Sequence, residues 1–285
     1  MNTKIPIVDY CSLSLDKKAV FLAEGLNSYL LRNNDLVFPH RHNFYQFVLF
    51  TGGQGNHSID FEHFEIESWQ IYFMIPGQIH TWNFETDMQG YIFNFNAELF
   101  DTFLLRPDYL TQFNFFSGDS SKSVFTVKEQ FRSQIQSILE QIILNKDDAD
   151  FAKIALLYVF SLLNKQFVPN DDSVSSGYRY TILKNFNSLI ELNYKSLKLP
   201  KEYAELLYIT PNHLNALTKE HLGMPAGEII RNRILLEAKR MLVIKEYTIS
   251  EIAYELNFND NSYFSKFFKK LTGFTPEEFR KNYIK

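Results

Sequence analysis

A chain of 285 residues with 45% apolar and 22% charged side chains can bury two cores and is too apolar to remain disordered. Its apolar run IALLYVFSLL covers only residues 154–163, against roughly 20 residues for a bilayer span. The N-terminus lacks the apolar core of a secretory signal and the lone Cys11 allows no internal disulfide, so a cytoplasmic protein without a membrane segment is expected.

The net charge of −4 conceals a division. Residues 179–285 hold 17 Lys and Arg against 12 Asp and Glu, a balance of +5, whereas residues 1–178 hold 12 against 21, a balance of −9. A basic half beside an acidic one suggests that one half meets a polyanion while the other does something else.

In chain order, residues 36–100 read as strands. FYQFVLF and QIYFMIPG are short, aromatic and β-branched, with turn glycines in TGGQGN between them. The aromatic residues Phe44, Tyr45, Phe47, Tyr72, Phe73, Trp82 and Phe93 suit either a ligand pocket or a plain core. From about Val127 the period becomes helical, in VKEQFRSQIQSILEQIILN and DADFAKIALLYVFSLLNKQF. Ile135, Ile138, Leu139 and Ile142 make a stripe that serves either a helix partner in a homodimer or the covering of the strands. VPNDDSVSSGY, residues 168–178, has the composition of a linker, and everything after it reads as helix. The expected domains are therefore 1–167 and 179–285.

The second domain contains an internal repeat. Ala204, Leu207 and Ile209 fall over Ala253, Leu256 and Phe258. After a one-residue insertion, Leu214, Leu217, Lys219 and Gly223 fall over Phe264, Phe267, Lys269 and Gly273. Thr248-x-x-Glu251 and Thr275-Pro276-x-Glu278 have the pattern of capping boxes, Asp260 and Thr210 can cap the second helix of each copy, and Asn257 suits a left-handed C-cap. AGEIIRNRILLEAKRMLVIK joins the copies as one helix of roughly 25–30 Å, with Ile230, Ile234 and Leu235 on one face. Two helix-turn-helix units on a rod of that size match successive turns of a DNA groove, about 34 Å apart. In NDNSYFSKFFKKLTGFTPEEFR the stripe Phe264, Phe267, Phe268 and Leu271 belongs to a core, while Ser262, Ser265, Lys266 and Lys269 share another face.

RILLEAKRMLVIKEYTISEIAYELNFNDNSYFSKFFKKLTGFTPEEFRKNY closely resembles the DNA-binding domain of the AraC/XylS transcription regulators. The likeness rests on Arg233, Ala238 and Leu242, on Ile249, Glu251, Ile252 and Ala253, and on the run from Phe258 through Asp260, Ser262, Tyr263, Phe264, Phe268, Lys269, Lys270, Gly273, Thr275, Pro276 and Phe279 to Arg280. Asn257 stands where Gly is usual. In the looser first copy Thr210 replaces Ser, Ala216 stands where Arg is common, and Thr218 where a core Phe is usual. The resemblance implies that Asn261, Ser262, Ser265 and Lys266 read bases, with Lys269 and Lys270 at phosphates and Asn212, Asn215 and Lys219 reading for the first copy. Each lysine is otherwise an ordinary solvated group.

FPHRHNFYQFVLFTGGQGNHSID and IYFMIPGQIHTWNF look like the sensor domain of the same family, a cupin-like β-barrel. In cupin enzymes His40, His42 and His80 would be metal ligands with a Glu, but Gln46 stands in that place and removes an anionic donor. His57 and His63 fall in or near turns without ligand spacing. The resemblance therefore implies an α+β chain: a cupin-like barrel with a helical pair, linked to an all-α domain of two helix-turn-helix units joined by a long helix. It implies a non-enzymatic regulator that uses no metal or cofactor, with His40, His42, Gln46, His80 and Trp82 as candidate effector contacts. Duplex DNA, a small-molecule effector, a second copy of the chain and RNA polymerase are its expected partners. A metal-dependent cupin enzyme with an accessory helical domain is the alternative.

Overall fold

In the computed structural model, which describes residues 6–13, 21–33, 38–96, 98–100, 109–167, 176–244 and 247–283, the chain divides into two units, Pro6–Asp171 with strands and helices and Asp172–Lys285 with helices alone among the described residues. Most of the expected linker, 168–175, lies outside the described residues, and its last three residues already belong to a helix.

Among the described residues the first unit has ten strands: β1 (Ile7–Val8), β2 (Phe21–Gly25), β3 (His40–His42), β4 (Tyr45–Gly52), β5 (Gly55–Ile59), β6 (Glu62–Glu65), β7 (Gln70–Met74), β8 (Ile79–Phe84), β9 (Gln89–Phe95) and β10 (Val124–Thr126). They form two five-stranded sheets in the orders β1-β3-β8-β5-β6 and β10-β7-β4-β9-β2. All pairings are antiparallel except β1 with β3. This is the cupin-like architecture that the sequence leads one to expect.

The period of two sorts side chains between two cores. Along β4, Val48 and Phe50 join Tyr72, Met74, Trp82 and Ile92 in one cluster, while Phe47 and Leu49 join Ile71, Phe73, Phe93 and Phe95 in another. The second cluster is closed by α2 (Glu129–Leu144) and α3 (Ala149–Lys165), which follow α1 (Leu26–Arg32) in the chain. Phe160 of α3 lies 5.2–6.2 Å, centroid to centroid, from Phe47, Phe73, Phe95, Phe113, Phe115 and Phe116. The stripe on α2 thus has its partner in the same unit: Ile135, Leu139 and Ile142 are fully buried in this cluster. Of the two roles open to the stripe, it performs the covering one. The aromatic set is divided likewise, because Phe44, Tyr72 and Trp82 belong to the cluster with Val48 and Phe50, whereas Tyr45, Phe47, Phe73 and Phe93 pack toward the helices.

The second unit comprises α4 (Ser176–Asn193), α5 (Pro200–Leu206), α6 (Pro211–Leu222), α7 (Ala226–Val243), α8 (Ile249–Glu255), α9 (Asn261–Thr272) and α10 (Pro276–Tyr283). The rod α7 has 18 residues, about 27 Å at 1.5 Å per residue. Ile230, Ile234, Leu235, Ala238 and Leu242 are buried along it, and each of the two helix-turn-helix pairs packs against it.

Candidate functional site

Both helix pairs are built from the same local rules. A seven-residue helix, α5 or α8, ends in a turn whose central residue is left-handed: Tyr208 at φ 55° and Asn257 at φ 53°. The N–H of the residue after it then reaches back, Ile209 to the Ala204 carbonyl at 3.0 Å and Phe258 to the Ala253 carbonyl at 2.9 Å. Side-chain caps open the 12-residue second helices: Thr210 Oγ1 accepts from the His213 N–H at 3.2 Å, and Asp260 Oδ1 accepts from the Tyr263 N–H at 2.7 Å. Gly223 at φ 74° and Gly273 at φ 81° close them, a conformation that strains any residue with a Cβ. The capping boxes Thr248–Glu251 and Thr275–Glu278 form as expected.

The caps leave one face of α9 to solvent. Phe264 and Phe268 are fully buried, with Phe268 on Phe279 at 5.3 Å, while Asn261, Ser262, Lys266, Lys269 and Lys270 are exposed and Ser265 is half-buried. Asn261 Nδ2 also donates to Ser250 Oγ on α8. Three lysines on one exposed face give α9 a positive field with no carboxylate bound to them by a direct ion pair among the described residues.

The corresponding face of α6 is weaker. Asn212 and Lys219 are exposed, but the Asn215 Oδ1 accepts the Ala226 N–H at 3.1 Å, which caps the start of α7. Pro225 before that helix supplies no side-chain cap. In the second copy Pro276 takes the place of Ala226 and has no N–H to satisfy, so Ser265, the counterpart of Asn215, is spared that duty. Thr218, in place of a core Phe, remains fully buried with its hydroxyl donating to the Asn215 carbonyl at 3.2 Å.

Two arginines of the family pattern act inside the unit. Arg233 bonds Glu191 at 2.8 and 3.0 Å and Glu237 at 3.1 Å, and stacks 3.9 Å from the Tyr194 ring. Burial alone would lower its pKa, but Glu191 and Glu237 more than reverse that and the guanidinium is held charged. Arg280 donates to the carbonyls of Leu242 and Tyr247, tying α10 to the end of the rod. Sequence reasoning overlooked the exposed aromatic side chains around the readers, Tyr208, Tyr254 and Tyr263, of which Tyr208 is 95% exposed. The alignment of the two copies, which places His213 over Tyr263, was the available signal.

The barrel interior is polar at one end. His40, His42 and His80 gather there, with the His80 ring 4.2 Å from His40 and 5.0 Å from His42, centroid to centroid. His57 joins them, contrary to the expectation that it lies near a turn. It is fully buried on β5 opposite Trp82, with Nε2 3.3 Å from His80 Nδ1. His63 lies on β6, its Nδ1 2.6 Å from Ser58 Oγ. His42 Nδ1 donates to the Phe44 carbonyl at 2.8 Å, which fixes the tautomer and leaves Nε2 as a bare lone pair. Burial pushes His42 down to about 3, and burial reinforced by the neighbouring imidazoles holds His57 and His80 well below the ordinary histidine value. Gln46 Nε2 donates to Asn94 Oδ1 at 2.8 Å. His42 Nε2, Gln46 Oε1, His57 Nδ1, His80 Nε2, Trp82 Nε1 and Asn94 Nδ2 are buried without a hydrogen-bond partner among the described residues. These residues fit a metal poorly: Gln46 offers no carboxylate, and no group of three His, Cys, Asp or Glu among the described residues is arranged to hold an ion.

Comparison with known proteins covers both units. A model described as an AraC-like ligand binding domain matches residues 29–161, and one described as a helix-turn-helix domain matches residues 203–282. The transcriptional regulatory protein YesN of Bacillus subtilis is 38% identical over 94 residues, 32% of this chain and 25% of that protein, so the chain spans a quarter of that relative's length. The transcriptional activator RhaR of Pectobacterium atrosepticum is 24% identical over 94% of this chain and 93% of its own length, and that of Mannheimia succiniciproducens 21% identical over 87% and 89%. With a ligand-binding-domain match over the sheets and a helix-turn-helix match over the capped helix pairs, the chain belongs to the AraC family of DNA-binding transcription regulators.

Proposed function

We propose that the chain recognises a specific DNA sequence through α6 and α9 set in adjacent groove windings, with Asn261, Ser262, Ser265 and Lys266 reading bases for the second head. Lys269 and Lys270 bind phosphates, and Asn212 and Lys219 do most of the work of the first head. The observation that carries this reading is the pair of equally capped helices on one rod, each with its apolar side buried and its polar side exposed. Selection of duplexes from a randomised library by the full chain tests it: a defined sequence is expected, and Asn261→Ala should relax preference at one base position. A chain that enriches no sequence contradicts it.

The barrel is the sensor, and a small-molecule effector takes up the hydrogen-bonding capacity around His42, Gln46, His80 and Trp82, with His40 at the same end. Leaving one such buried group unsatisfied costs about 1–3 kcal/mol, so a ligand that pairs several of them favours whichever barrel conformation admits it. The chain works without catalysis, and RNA polymerase is a further partner consistent with the activators among its relatives. Among the described residues no helix is long and apolar enough to cross a membrane, and we assign the chain to the cytoplasm. A second copy docks on the outward side of the helical pair, where Ile154 and Tyr158 are 56% and 46% exposed and Gln134 Nε2 donates to the Tyr158 hydroxyl at 2.8 Å. In a half of the chain with a balance of −9, an exposed apolar patch is the side on which two copies meet with the least repulsion. Ile154→Asp should convert a dimer to a monomer in sedimentation; an unaltered dimer would refute this surface.

A further inference from the structure

The rod α7 separates the two heads but does not by itself aim the second one. α7 ends at Val243 and α8 begins at Ile249, so contacts between the helices set the angle of α8 and α9. One of these comes from the opposite head. Lys198 precedes α5, and its backbone is held there: Glu202 Oε2 accepts from the Lys198 N–H at 2.9 Å and from the Leu199 N–H at 2.7 Å, and the Tyr203 hydroxyl donates to the Leu197 carbonyl at 3.0 Å. From this fixed base the side chain crosses to the second head. Its ammonium donates to the Asn257 carbonyl and lies 4.0 Å from the centre of the Phe258 ring.

Both targets sit at the turn that directs α9. Asn257 is the left-handed residue that makes the bend, and Phe258 packs 5.2 Å from Phe264 and 5.1 Å from Phe267 of α9, centroid to centroid. A charge-assisted bond to a carbonyl and a cation over an aromatic face are both directional. The neighbouring Lys195–Glu255 pair, 4.0 Å apart and half-exposed on both sides, constrains less. Each head has its own caps and its own buried residues, Tyr203, Leu214 and Leu217 in one and Phe264, Phe268 and Phe279 in the other. Loss of the Lys198 contacts therefore leaves both heads folded on α7 and removes a direct tie between them, which loosens the angle.

We infer that Lys198 is a positioning residue that bolts the first head to the turn of the second and so sets the spacing of the two DNA subsites that the chain accepts. This rests on the DNA-reading proposal above. The test uses the full chain and the duplex it selects from a randomised library, with the two subsites located by base substitution, and compares that duplex with versions carrying one base pair more or fewer between them. One base pair moves a subsite by about 3.4 Å and turns it by about 35°. The wild type should lose roughly 10-fold in affinity on the altered duplexes, and Lys198→Met should shrink that penalty to about 3-fold or less while binding the original duplex about 3–10-fold more weakly. Lys198→Arg should restore the discrimination, and Lys201→Met, which removes an exposed charge from the helix that follows Lys198, should leave it unchanged. Lys198→Met binding all three duplexes with the wild-type ratio, whatever its overall affinity, overturns the assignment, as does a wild type indifferent to spacing. A wild type that selects no duplex overturns the DNA reading and this inference with it.

Discussion

The helical unit and the barrel place their informative polar groups on opposite sides of the fold. In the helical unit Lys219, Lys266, Lys269 and Lys270 are exposed while Phe264, Phe268 and Phe279 are buried; in the barrel His42, Gln46, His57, His80 and Asn94 are buried together. Outward charges respond to salt, and inward imidazoles respond to pH. The same contrast recurs within the helical unit on a smaller scale. Its second copy keeps Ser265 half-exposed on the reading face, whereas the first turns Asn215 inward to cap α7. A side chain committed to the fold has less to offer a ligand.

The largest expected effect concerns the imidazoles. His42, His57 and His80 are held neutral in the folded barrel, so the unfolded chain binds more protons as pH falls below about 6.5. Stability is therefore full above that value and lost as pH drops toward the depressed folded values. His42 alone should cost roughly 1.7 kcal/mol between pH 6.5 and 5, and His57 and His80 add losses of the same sign. Denaturant unfolding followed by Trp82 fluorescence should show the loss, and His57→Phe should reduce it. Equal pH slopes for the barrel and helical transitions would erase the contrast.

Equivalent core positions of the two heads come next. Phe268→Ala should cost about 3–5 kcal/mol, whereas Thr218→Ala, its counterpart in the first head, should cost about 1 kcal/mol. Circular dichroism in urea compares the two directly. Charge on the exposed faces gives a smaller, salt-dependent effect. Replacing Lys269 and Lys270 together by Ala should flatten the log–log dependence of DNA affinity on salt by up to about 1.8, and Lys219→Ala by about 0.9. Similar changes from both would make the heads electrostatic equals. Smallest is Asn215→Ala, expected to destabilise by about 1 kcal/mol through the lost cap while base preference changes little. A large change in base preference would return Asn215 to the reading set.

The helical unit was largely legible in the sequence because its signals are local. Thr248 and Glu251, Asp260 and Asn257 act within a few residues of where they stand, and each takes the predicted position. The barrel was legible as strands but not as an interior. His57 lies 23 residues from His80 in the chain, and only the pairing of β5 with β8 brings them together. Likewise the stripe on α2 shows a need for a partner without naming it, and the partner is the unit's own sheet. The cap on Ala226 was hidden because Asn215 serves equally well on a reading face and across 11 residues of chain. Tyr208 escaped notice because an exposed tyrosine is an unusual occupant of a left-handed turn.

A hydroxyl-radical footprint of the full chain on its selected duplex is the most direct test of the account. Two heads on one rod should protect two windows on the same face of the DNA, centred about 10–10.5 base pairs apart. A single protected window, or two on opposite faces, would contradict it.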